Sequence, residues 1–291
     1  MPTYLSSGIS VADDFAHFVV LKISDSKTEL IHIEEYKRTE LDNNDTWFLK
    51  PISMRSESIF EKPKNVSVAL DKKMLFIHSF PMDSTLSKVD QNEHLNWELS
   101  QLIPSFHSKD YVSDTHILQT HVQEKKHDVL SVTIKRTLIN QIHDYTAQKN
   151  LHLNVIDAAH FAAGEALAQS YPEIQTHDCA LVGLSMSQTE FSCYNNGHLL
   201  SYSHRPETNI EFVLQYLKHN ISGKNLSSIY IYGPNTDSEL LHTLRAEISS
   251  QINILNPFSH INISPTVRNF ERFTGNTQRF APAVGIALRK S

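Results

Sequence analysis

The chain has 291 residues, 40% hydrophobic and 20% charged, which is ordinary for a soluble globular protein of one large or two medium domains. Its net charge of -6 disfavours nucleic acid as a partner, because phosphate binding requires concentrated Lys and Arg. No stretch approaches the roughly 18 apolar residues of a membrane span, and no signal-peptide pattern opens the chain, so we expect a cytoplasmic location without membrane insertion.

Glycine is scarce, with 8 residues in the chain against an average usage of about 7%. Glycine tolerates positive φ and lets a backbone approach a phosphate group closely. A chain with so few glycines therefore has few positions at which a phosphate-binding loop is expected.

The N-terminal region is predicted to form a three-stranded antiparallel meander, because apolar or alternating runs are separated by polar turns. The strands are predicted at Gly8–Ala12, Ala16–Ile23 and Glu29–Tyr36. Asp13-Asp14 is the first predicted turn and Ser24–Lys27 the second. Residues 37–63 are polar and poorly periodic, and only a short helix at Ser56–Phe60 is expected there.

The segment from residue 66 to residue 168 mixes strand and helix patterns. Val66–Leu70 and Met74–Phe80 flank Asp71-Lys72-Lys73 and are predicted to pair as a hairpin. The next elements are predicted as a helix at Gln91–Leu102 that Pro104 ends, paired strands at Asp110–Gln119 and Asp128–Ile134, a helix at Thr137–Lys149 and a strand at Leu151–Ile156. Asp157 is the predicted N-cap of an alanine-rich helix through Ala168, whose small side chains allow close packing.

A second three-stranded meander is predicted between residues 179 and 205. Its strands are expected at Ala180–Leu184, Glu190–Tyr194 and His198–Tyr202. Asn195-Asn196-Gly197 separates the last two strands, and Asn-Gly between such runs is a strong hairpin signal. Cys179 and Cys193 fall on neighbouring strands, where a disulfide is geometrically allowed but a cytoplasmic chain favours two buried thiols.

The C-terminal region continues with alternating helices and strands. The predicted elements are a helix at Asn209–Lys218, a strand at Ser227–Tyr232, a turn at Gly233–Asn235, a helix at Asp237–Ser249, a strand at Ile252–Leu255 and a final helix at Pro282–Arg289.

Two patterns that suggest metal or nucleophile chemistry are discounted. The 17 histidines form no His-x-His, His-x-x-x-His or His-Glu-x-x-His spacing, so no metal site is predicted. Gly183–Ser187 approaches the Gly-x-Ser-x-Gly nucleophile elbow, but it lacks the second glycine and leads into a strand, whereas the elbow leads into a helix.

The order of these elements resembles the actin-like ATPase fold, an α/β fold with ribonuclease H-like duplicated halves that each open with a β-meander. Trp97–Leu118 resembles PilM-type type IV pilus assembly proteins, in which an acidic helix ends in Ile-Pro before an Asp-Tyr-x-Val strand. The sequences at Asp128–Ala168, Ile229–Ile248, Asn256–Ser264 and Arg279–Ser291 are also similar to segments of that family. A group of uncharacterised bacterial actin-like proteins is a further resemblance.

The resemblance implies a division of the chain into two halves. The first is expected over residues 1–156 with an inserted α/β lobe at about 82–150, and the second over residues 157–291. Only Ser203–Leu226 fills the position of the family's fourth subdomain, and this reduction disfavours filament formation.

The resemblance also places a nucleotide cleft between the halves, and this chain departs from the family there. The family's first hairpin carries Asp-x-Gly and then Lys; the second hairpin carries another Asp-x-Gly, and a Gly-Gly contacts adenosine. The corresponding residues here are Ser10, Ala12 and His17, then Gly183 and Ser185, then Gly233-Pro234. ATP hydrolysis needs carboxylates for Mg²⁺ and backbone N–H groups close to the phosphates. The resemblance therefore implies a degenerate cleft, whose candidate residues are Ser10, Asp13, His17, Gly183, Ser185 and Gly233.

Three functions are compatible with this interpretation. The first is a cytoplasmic scaffold or protein-interaction module with a degenerate site and no catalytic residues. The second is an ATPase that binds ATP and Mg²⁺ through Asp13 or Asp14. The third is a structural partner of a membrane-anchored assembly, since the pilus family holds a partner peptide in a groove near the apolar segment that corresponds to Ile103, Pro104 and Phe106. A protein partner is expected in the first and third, and the oligomeric state is left open.

Overall fold

The computed structural model describes residues 3–25, 27–42, 44–53, 63–206, 209–223, 226–236, 238–248, 250–267 and 270–289. Its first elements are β1 (Tyr4–Ala12), β2 (Phe15–Ile23), β3 (Thr28–Lys37), α1 (Lys50–Ser53), β4 (Asn65–Leu70), β5 (Phe76–Asp83), α2 (Lys88–Leu102), β6 (Tyr111–His121), β7 (Lys126–Lys135), α3 (Arg136–Gln148) and β8 (His152–Ala158). They are followed by α4 (Ala159–Ser170), β9 (Cys179–Leu184), β10 (Thr189–Asn195), β11 (His198–Arg205), α5 (Ile210–Ile221), β12 (Ser228–Tyr232), α6 (Ser238–Glu247), β13 (Gln251–Ile254), β14 (Asn262–Ile263) and α7 (Ala281–Leu288).

Two sheets repeat the same strand order. The first is β14-β3-β2-β1-β4-β8 and the second is β11-β10-β9-β12-β13. In each, three consecutive strands form an antiparallel meander, and the first strand of the meander then pairs in parallel with a later strand. This duplication confirms the predicted α/β architecture of two related halves that each open with a meander.

The tight turns of both meanders lie where the sequence predicts them. Ala12 and Phe15 pair across the first turn, so Asp13 and Asp14 form a two-residue connection in which Asp13 has a φ of 52°. In the second meander Asn196 and Gly197 both have positive φ, 48° and 77°. Two positive φ values match the right-handed twist of the flanking strands, which explains the Asn-Gly signal.

Helices α4 and α7 join the two halves, because each helix packs on the sheet of the other half. The α4 helix leaves the first half, yet Ala163, Ala166 and Leu167 pack on the apolar face of the second sheet. The α7 helix ends the second half and packs on the first sheet. The two helices also contact each other, so closely that a Cβ on Gly285 would lie 1.7 Å from the Ala162 carbonyl oxygen. The predicted close packing of the alanine-rich helix is therefore confirmed.

The predicted hairpin between Val66–Leu70 and Met74–Phe80 is wrong. The β4 strand pairs with β1 and β8, whereas β5 turns away and pairs with β7 in a separate sheet of order β5-β7-β6. The burial of the two strands explains the difference, because β4 is buried at five successive positions and β5 alternates. Continuous burial is typical of a central parallel strand, and alternation of a strand with one solvated face.

Smaller corrections concern residues near the ends of elements. Asp157 is not a helix N-cap: it belongs to β8, its carboxylate pairs with Arg289, and Ala158 caps α4 without a side-chain hydrogen bond. The polar stretch after β3 contains Trp47 and Phe48, and both are buried in the hydrophobic core that packs on the first sheet. The helix expected at Ser56–Phe60 lies outside the described residues.

Cys179 and Cys193 are buried free thiols on neighbouring strands. None of the helices in the described part of the chain is long and apolar enough to cross a membrane. The lobe sheet begins at Phe76, and the boundaries predicted for the lobe and the two halves stay predictions.

Candidate functional site

Three of the six predicted cleft residues, Gly183, Ser185 and Gly233, line a cavity between the two halves. The cavity has a volume of about 30 Å³. That volume holds about one or two water molecules, whereas small-ligand pockets measure roughly 300–1,000 Å³. The described residues therefore leave the space between the hairpins nearly filled.

The side chain of Tyr232 accounts for much of that filling. Gly183 has no side chain, and a Cβ placed there would lie 2.6 Å from the Tyr232 hydroxyl and 2.8 Å from its Cζ. The ring of Tyr232 thus occupies the surface that glycine exposes in the second hairpin. The backbone at Gly183 is covered by the chain itself.

A buried histidine fixes the Tyr232 ring. His160 of α4 lies with Nδ1 3.0 Å from the Tyr232 hydroxyl and Nε2 2.8 Å from Ser192 Oγ. Burial lowers the pKa of His160 to about 3, so its ring is neutral and uses one nitrogen as donor and the other as acceptor. The network is structural, because all three side chains are buried and mutually satisfied.

Gly233 is required by the backbone. Its φ is 110°, and a Cβ there would lie 2.2 Å from the Leu184 carbonyl oxygen. The loop after β12 therefore lies directly on the end of β9, which closes the second half's side of the cleft. Gly183 and Gly233 therefore both allow close packing, the first against the Tyr232 ring and the second against the Leu184 backbone.

Ser10 on β1 and His17 on β2 are buried and lie outside the cavity lining. They are paired across β1 and β2, and His17 is in turn paired with Glu35 on β3. His17 Nε2 lies 3.1 Å from Glu35 Oε2, and Arg279 Nη1 lies 3.6 Å from the same oxygen. The hydrogen bond from His17, with the charge of Arg279, lowers the pKa of Glu35.

Asp13 lies at the rim, where the first hairpin meets the turn at residues 185–188. Met186 N donates to Asp13 Oδ2 at 2.6 Å, and Ser187 Oγ donates to Asp13 Oδ1 at 2.8 Å. Lys73 Nζ also donates to Oδ1 at 3.1 Å. Both carboxylate oxygens are therefore occupied, and the side chain is only 9% exposed. Ser185 shapes the turn, because its Oγ accepts hydrogen bonds from the Ser187 and Gln188 backbone N–H groups.

Two further carboxyl groups that the sequence did not single out line the cavity. Asp71 Oδ1 accepts hydrogen bonds from Lys73 N and Gln188 Nε2, and its Oδ2 accepts from Asp13 N. Burial raises the pKa of Asp71. Glu190 accepts from the Tyr202 hydroxyl at 2.7 Å, and burial raises the Glu190 pKa to about 7.

The sequence contains a partial signal for these missed residues. Glu190 interrupts an otherwise apolar and small-residue strand, and a carboxyl group on a buried strand needs a partner inside the protein. Asp71 follows a continuously buried strand, but its turn appeared to belong to a hairpin. The partner Gln188 of Asp71 could not be inferred, because that contact joins separate loops, whereas Tyr202 and Glu190 lie on the neighbouring strands β11 and β10 of the predicted hairpin.

The residues of the cleft do not fit ATP and Mg²⁺. A hydrated Mg²⁺ requires carboxylate oxygens that face an open space, and triphosphate binding requires exposed backbone N–H groups. Here the Asp13 oxygens are occupied and Gly183 is covered by Tyr232. Among the residues that the structure describes, no three His, Cys, Asp or Glu side chains are grouped to hold a metal ion.

A larger groove lies on the surface of the second half. Its volume is about 340 Å³, and it lies between the ends of β10 and β11 and the exposed side of α5. Arg205, Phe212 and Tyr216 are among its lining residues. The groove is therefore separate from the cleft in which the resemblance places a nucleotide.

The fold is shared with solved structures of low sequence identity. No protein-family model matches the chain, and no curated protein matches its sequence. A chain in the structure of a PilM-PilN type IV pilus biogenesis complex aligns with a TM-score of 0.78 and 14% identity, covering 98% of each chain. A Bacteroides thetaiotaomicron protein with an actin-like ATPase fold and unknown function aligns with a TM-score of 0.56 and 16% identity, covering 89% of this chain and 92% of that one.

A third similar structure is the cytoplasmic domain of EpsL, an inner membrane component of the Vibrio cholerae type II secretion system. It aligns with a TM-score of 0.50 and 12% identity, covering 81% of this chain and 84% of that one. These likenesses and the duplicated strand order agree with the predicted architecture.

Proposed function

Because this chain has the actin-like ATPase fold, we propose that it is a cytoplasmic scaffold with a degenerate nucleotide cleft. It binds a protein component of a membrane-anchored assembly of the pilus or secretion kind, and it does not hydrolyse ATP. The observation that carries the proposal is the cleft volume of about 30 Å³, with the Tyr232 ring over Gly183.

The charges around the cleft support the same proposal. Phosphoryl transfer depends almost entirely on positioned metal ions and donors. Asp13 has no oxygen free for a hydrated metal, since three donors contact it. Asp71 and Glu190 have raised pKa values from burial, and burial also disfavours their anionic forms as metal ligands.

The lobe offers the surface for a protein partner. Trp97 on α2 is 58% exposed and Leu102 is 47% exposed, whereas Ile103 is buried in the lobe core. Exposed Trp side chains are typical anchors of protein interfaces. Among the similar structures, one is a complex of two pilus proteins and another is an inner membrane secretion component, and both favour this class of partner.

Calorimetric titration with ATP and Mg²⁺, together with thermal unfolding, tests the degenerate cleft. We expect no heat and no change in melting temperature at millimolar nucleotide. A ligand at 100 times its Kd adds about 2.7 kcal/mol to the free energy of unfolding, so real binding is easily detected. Saturable binding that Asp13→Ala abolishes would contradict the proposal and favour the ATPase alternative.

A pilus role predicts neighbouring genes for short membrane proteins, and co-expression of the chain with such proteins tests the partner. We expect one of them to form a stoichiometric complex with the chain. Trp97→Ala should weaken that complex by about tenfold, which is the effect of an interface anchor. Phe212→Ala is the matched control, because Phe212 is 55% exposed on the other half. Equal losses in both variants, or no complex, would contradict the proposed surface.

A further inference from the structure

The groove on the surface of the second half combines apolar surface with an unpaired positive charge. It lies between the ends of β10 and β11 and the helix α5, and its volume is about 340 Å³. Small-molecule sites measure roughly 300–1,000 Å³, so this groove reaches a size that the cleft cavity does not. The groove and the cleft cavity share no lining residue. The groove is therefore a separate candidate site for a ligand.

The helix α5 supplies the apolar side of the groove. Its Val213 and Leu217 are buried in the core that packs on the second sheet. Phe212, Tyr216 and His219 lie along the groove at positions i, i+4 and i+7, which share one face of a helix. Phe212 is 55% exposed, so its ring offers apolar surface to a bound molecule.

Polar contacts between α5 and β11 hold the groove in shape. The Tyr216 hydroxyl lies 2.6 Å from Ser203 Oγ, and the Tyr216 ring packs edge-on against Phe191 with the ring centroids 6.4 Å apart. Ser203 Oγ donates to Asn220 Oδ1 at 3.1 Å, and Asn220 Nδ2 donates to the Tyr216 carbonyl oxygen at 2.8 Å. Tyr216 is therefore a fixed wall, and a wall that is already ordered lowers the entropy cost of binding.

The positive charge at the end of β11 has no partner of opposite charge. Arg205 is exposed and lines the groove, and no carboxylate of the described residues forms an ion pair with it. Burial lowers the pKa of His204, and the positive charges of Lys72 and Arg205 lower it further. Positive charge is thus concentrated here, although the whole chain has a net charge of -6. A guanidinium binds a carboxylate through two parallel hydrogen bonds, which are stronger than bonds to a neutral acceptor.

The dimensions of the groove favour a small ligand over a long peptide. Phe212 and His219 are seven residues apart on α5, which corresponds to a length of about 10 Å along the helix. Aromatic rings stack or pack edge-to-face on one another, so Phe212 and Tyr216 favour an aromatic ligand. Arg205 at the end of the groove favours a carboxylate on that ligand.

We propose that the groove between β10, β11 and α5 is a binding site for a small aromatic carboxylate. The ring of the ligand packs on Phe212 and Tyr216, and its carboxylate pairs with Arg205. The inference goes beyond the proposed function, because the groove lies apart from the cleft and from Trp97, and because its ligand is a small molecule and not a protein partner.

The first experiment titrates 3-phenylpropionate into the unsubstituted chain and follows the backbone amides by NMR. We expect saturable shifts at Phe212, Tyr216 and the residues around them. The uncharged 3-phenylpropanamide has the same ring, and it should bind at least about tenfold more weakly because it lacks the charge-assisted contact with Arg205. No saturable shift with the carboxylate, or equal affinities for the two probes, would overturn the proposal.

Two variants at exposed positions separate the two contacts. Arg205→Gln should weaken binding of the carboxylate by about tenfold and leave binding of the amide unchanged. Phe212→Ala should weaken binding of both probes by about threefold or more. Arg245→Gln, at an exposed position on α6 outside the groove lining, is the matched control and should bind as the unsubstituted chain does. Unchanged affinity in either groove variant, or an equal loss in the control, would contradict the proposed contacts.

A second copy of the chain is the other occupant that these measurements distinguish. Sedimentation should show a monomer, or a dimer that Phe212→Ala leaves intact. A dimer that Phe212→Ala dissociates would mean that protein covers the groove, and the proposal would be wrong. None of these experiments uses a nucleotide or a protein partner, so their failure is distinguishable from failure of the proposed function.

Discussion

The two halves share one strand order but differ in what their hairpins present to each other. The first half presents a side chain, the Asp13 carboxylate, held in a left-handed turn. The second half presents backbone and hydroxyl donors from residues 185–188, and covers its glycine with Tyr232. The shared sheet pattern thus maintains the architecture, while a few hairpin residues determine the contacts across the cleft.

The largest expected effect comes from the helix crossing that joins the halves. In Gly285→Ala, the new Cβ would lie 1.7 Å from a backbone oxygen of α4, which cannot move without shifting the helix. We expect the free energy of unfolding to fall by about 3 kcal/mol or more, despite alanine's better helix propensity. Gly275→Ala is the control, because no atom lies within 4 Å of its added Cβ. Similar denaturant midpoints for the two variants would contradict this role of the crossing.

The second effect is a dependence of stability on pH, which arises from Glu190 in the second half. Burial raises the pKa of Glu190 to about 7 from 4.5, so between these values the folded chain binds more protons than the unfolded chain. Glu190 therefore lowers stability progressively as pH rises from about 4.5 to 7, by up to about 3 kcal/mol. Its charged or titratable neighbours are Asp71, Lys72 and Tyr202.

Glu190→Gln should remove that dependence because an amide does not ionise in this range, and the amide oxygen can still accept the Tyr202 hydrogen bond. Urea unfolding at pH 5 and pH 8 should show the variant gaining stability relative to the unsubstituted chain at the higher pH. Glu93→Gln, at an exposed site on α2, provides the control. A constant difference between Glu190→Gln and the unsubstituted chain at both pH values would be incompatible with a raised pKa.

A smaller loss is expected when the tyrosine network is broken. Tyr232→Phe keeps the ring over Gly183 but leaves His160 Nδ1 buried without its partner. An unsatisfied buried polar group costs about 1–3 kcal/mol, which thermal unfolding would register as a lower melting temperature. Tyr4→Phe is the comparison variant, since Tyr4 is 43% exposed. Equal melting temperatures would mean that His160 finds another partner.

The smallest expected effect lies on the surface of the second half. Lys218 Nζ and Glu247 Oε2 are 2.7 Å apart, but both side chains are about half exposed, at 44% and 50%. Solvent and salt screen such a pair, so Glu247→Gln should leave the melting temperature unchanged within error. A clear loss that disappears in high salt would show that this pair contributes more than exposed pairs usually do.

Local patterns predicted the meanders well, because a turn and its two strands are adjacent in the chain. The Asn195–Gly197 turn and the two-residue Asp13-Asp14 connection both lie as predicted. The pairing of β4 could not be predicted in the same way, since its partners β1 and β8 are distant in sequence. Because β5 follows β4 closely in the chain, the sequence suggested a hairpin. The β4 strand instead lies inside a sheet, where it is buried on both faces.

The candidate site shows the same contrast between local patterns and contacts of segments that are distant in the chain. Local sequence patterns predicted the order of elements, and the family resemblance implied that the hairpins lack the expected carboxylates, glycines and lysine. Only the tertiary structure decided that Asp13 contacts Met186 and Ser187, and that Tyr232 covers Gly183. The physical reason is that backbone preference and hydrophobic period act over a few residues, whereas the cleft is formed by loops that the crossing of α4 and α7 brings together.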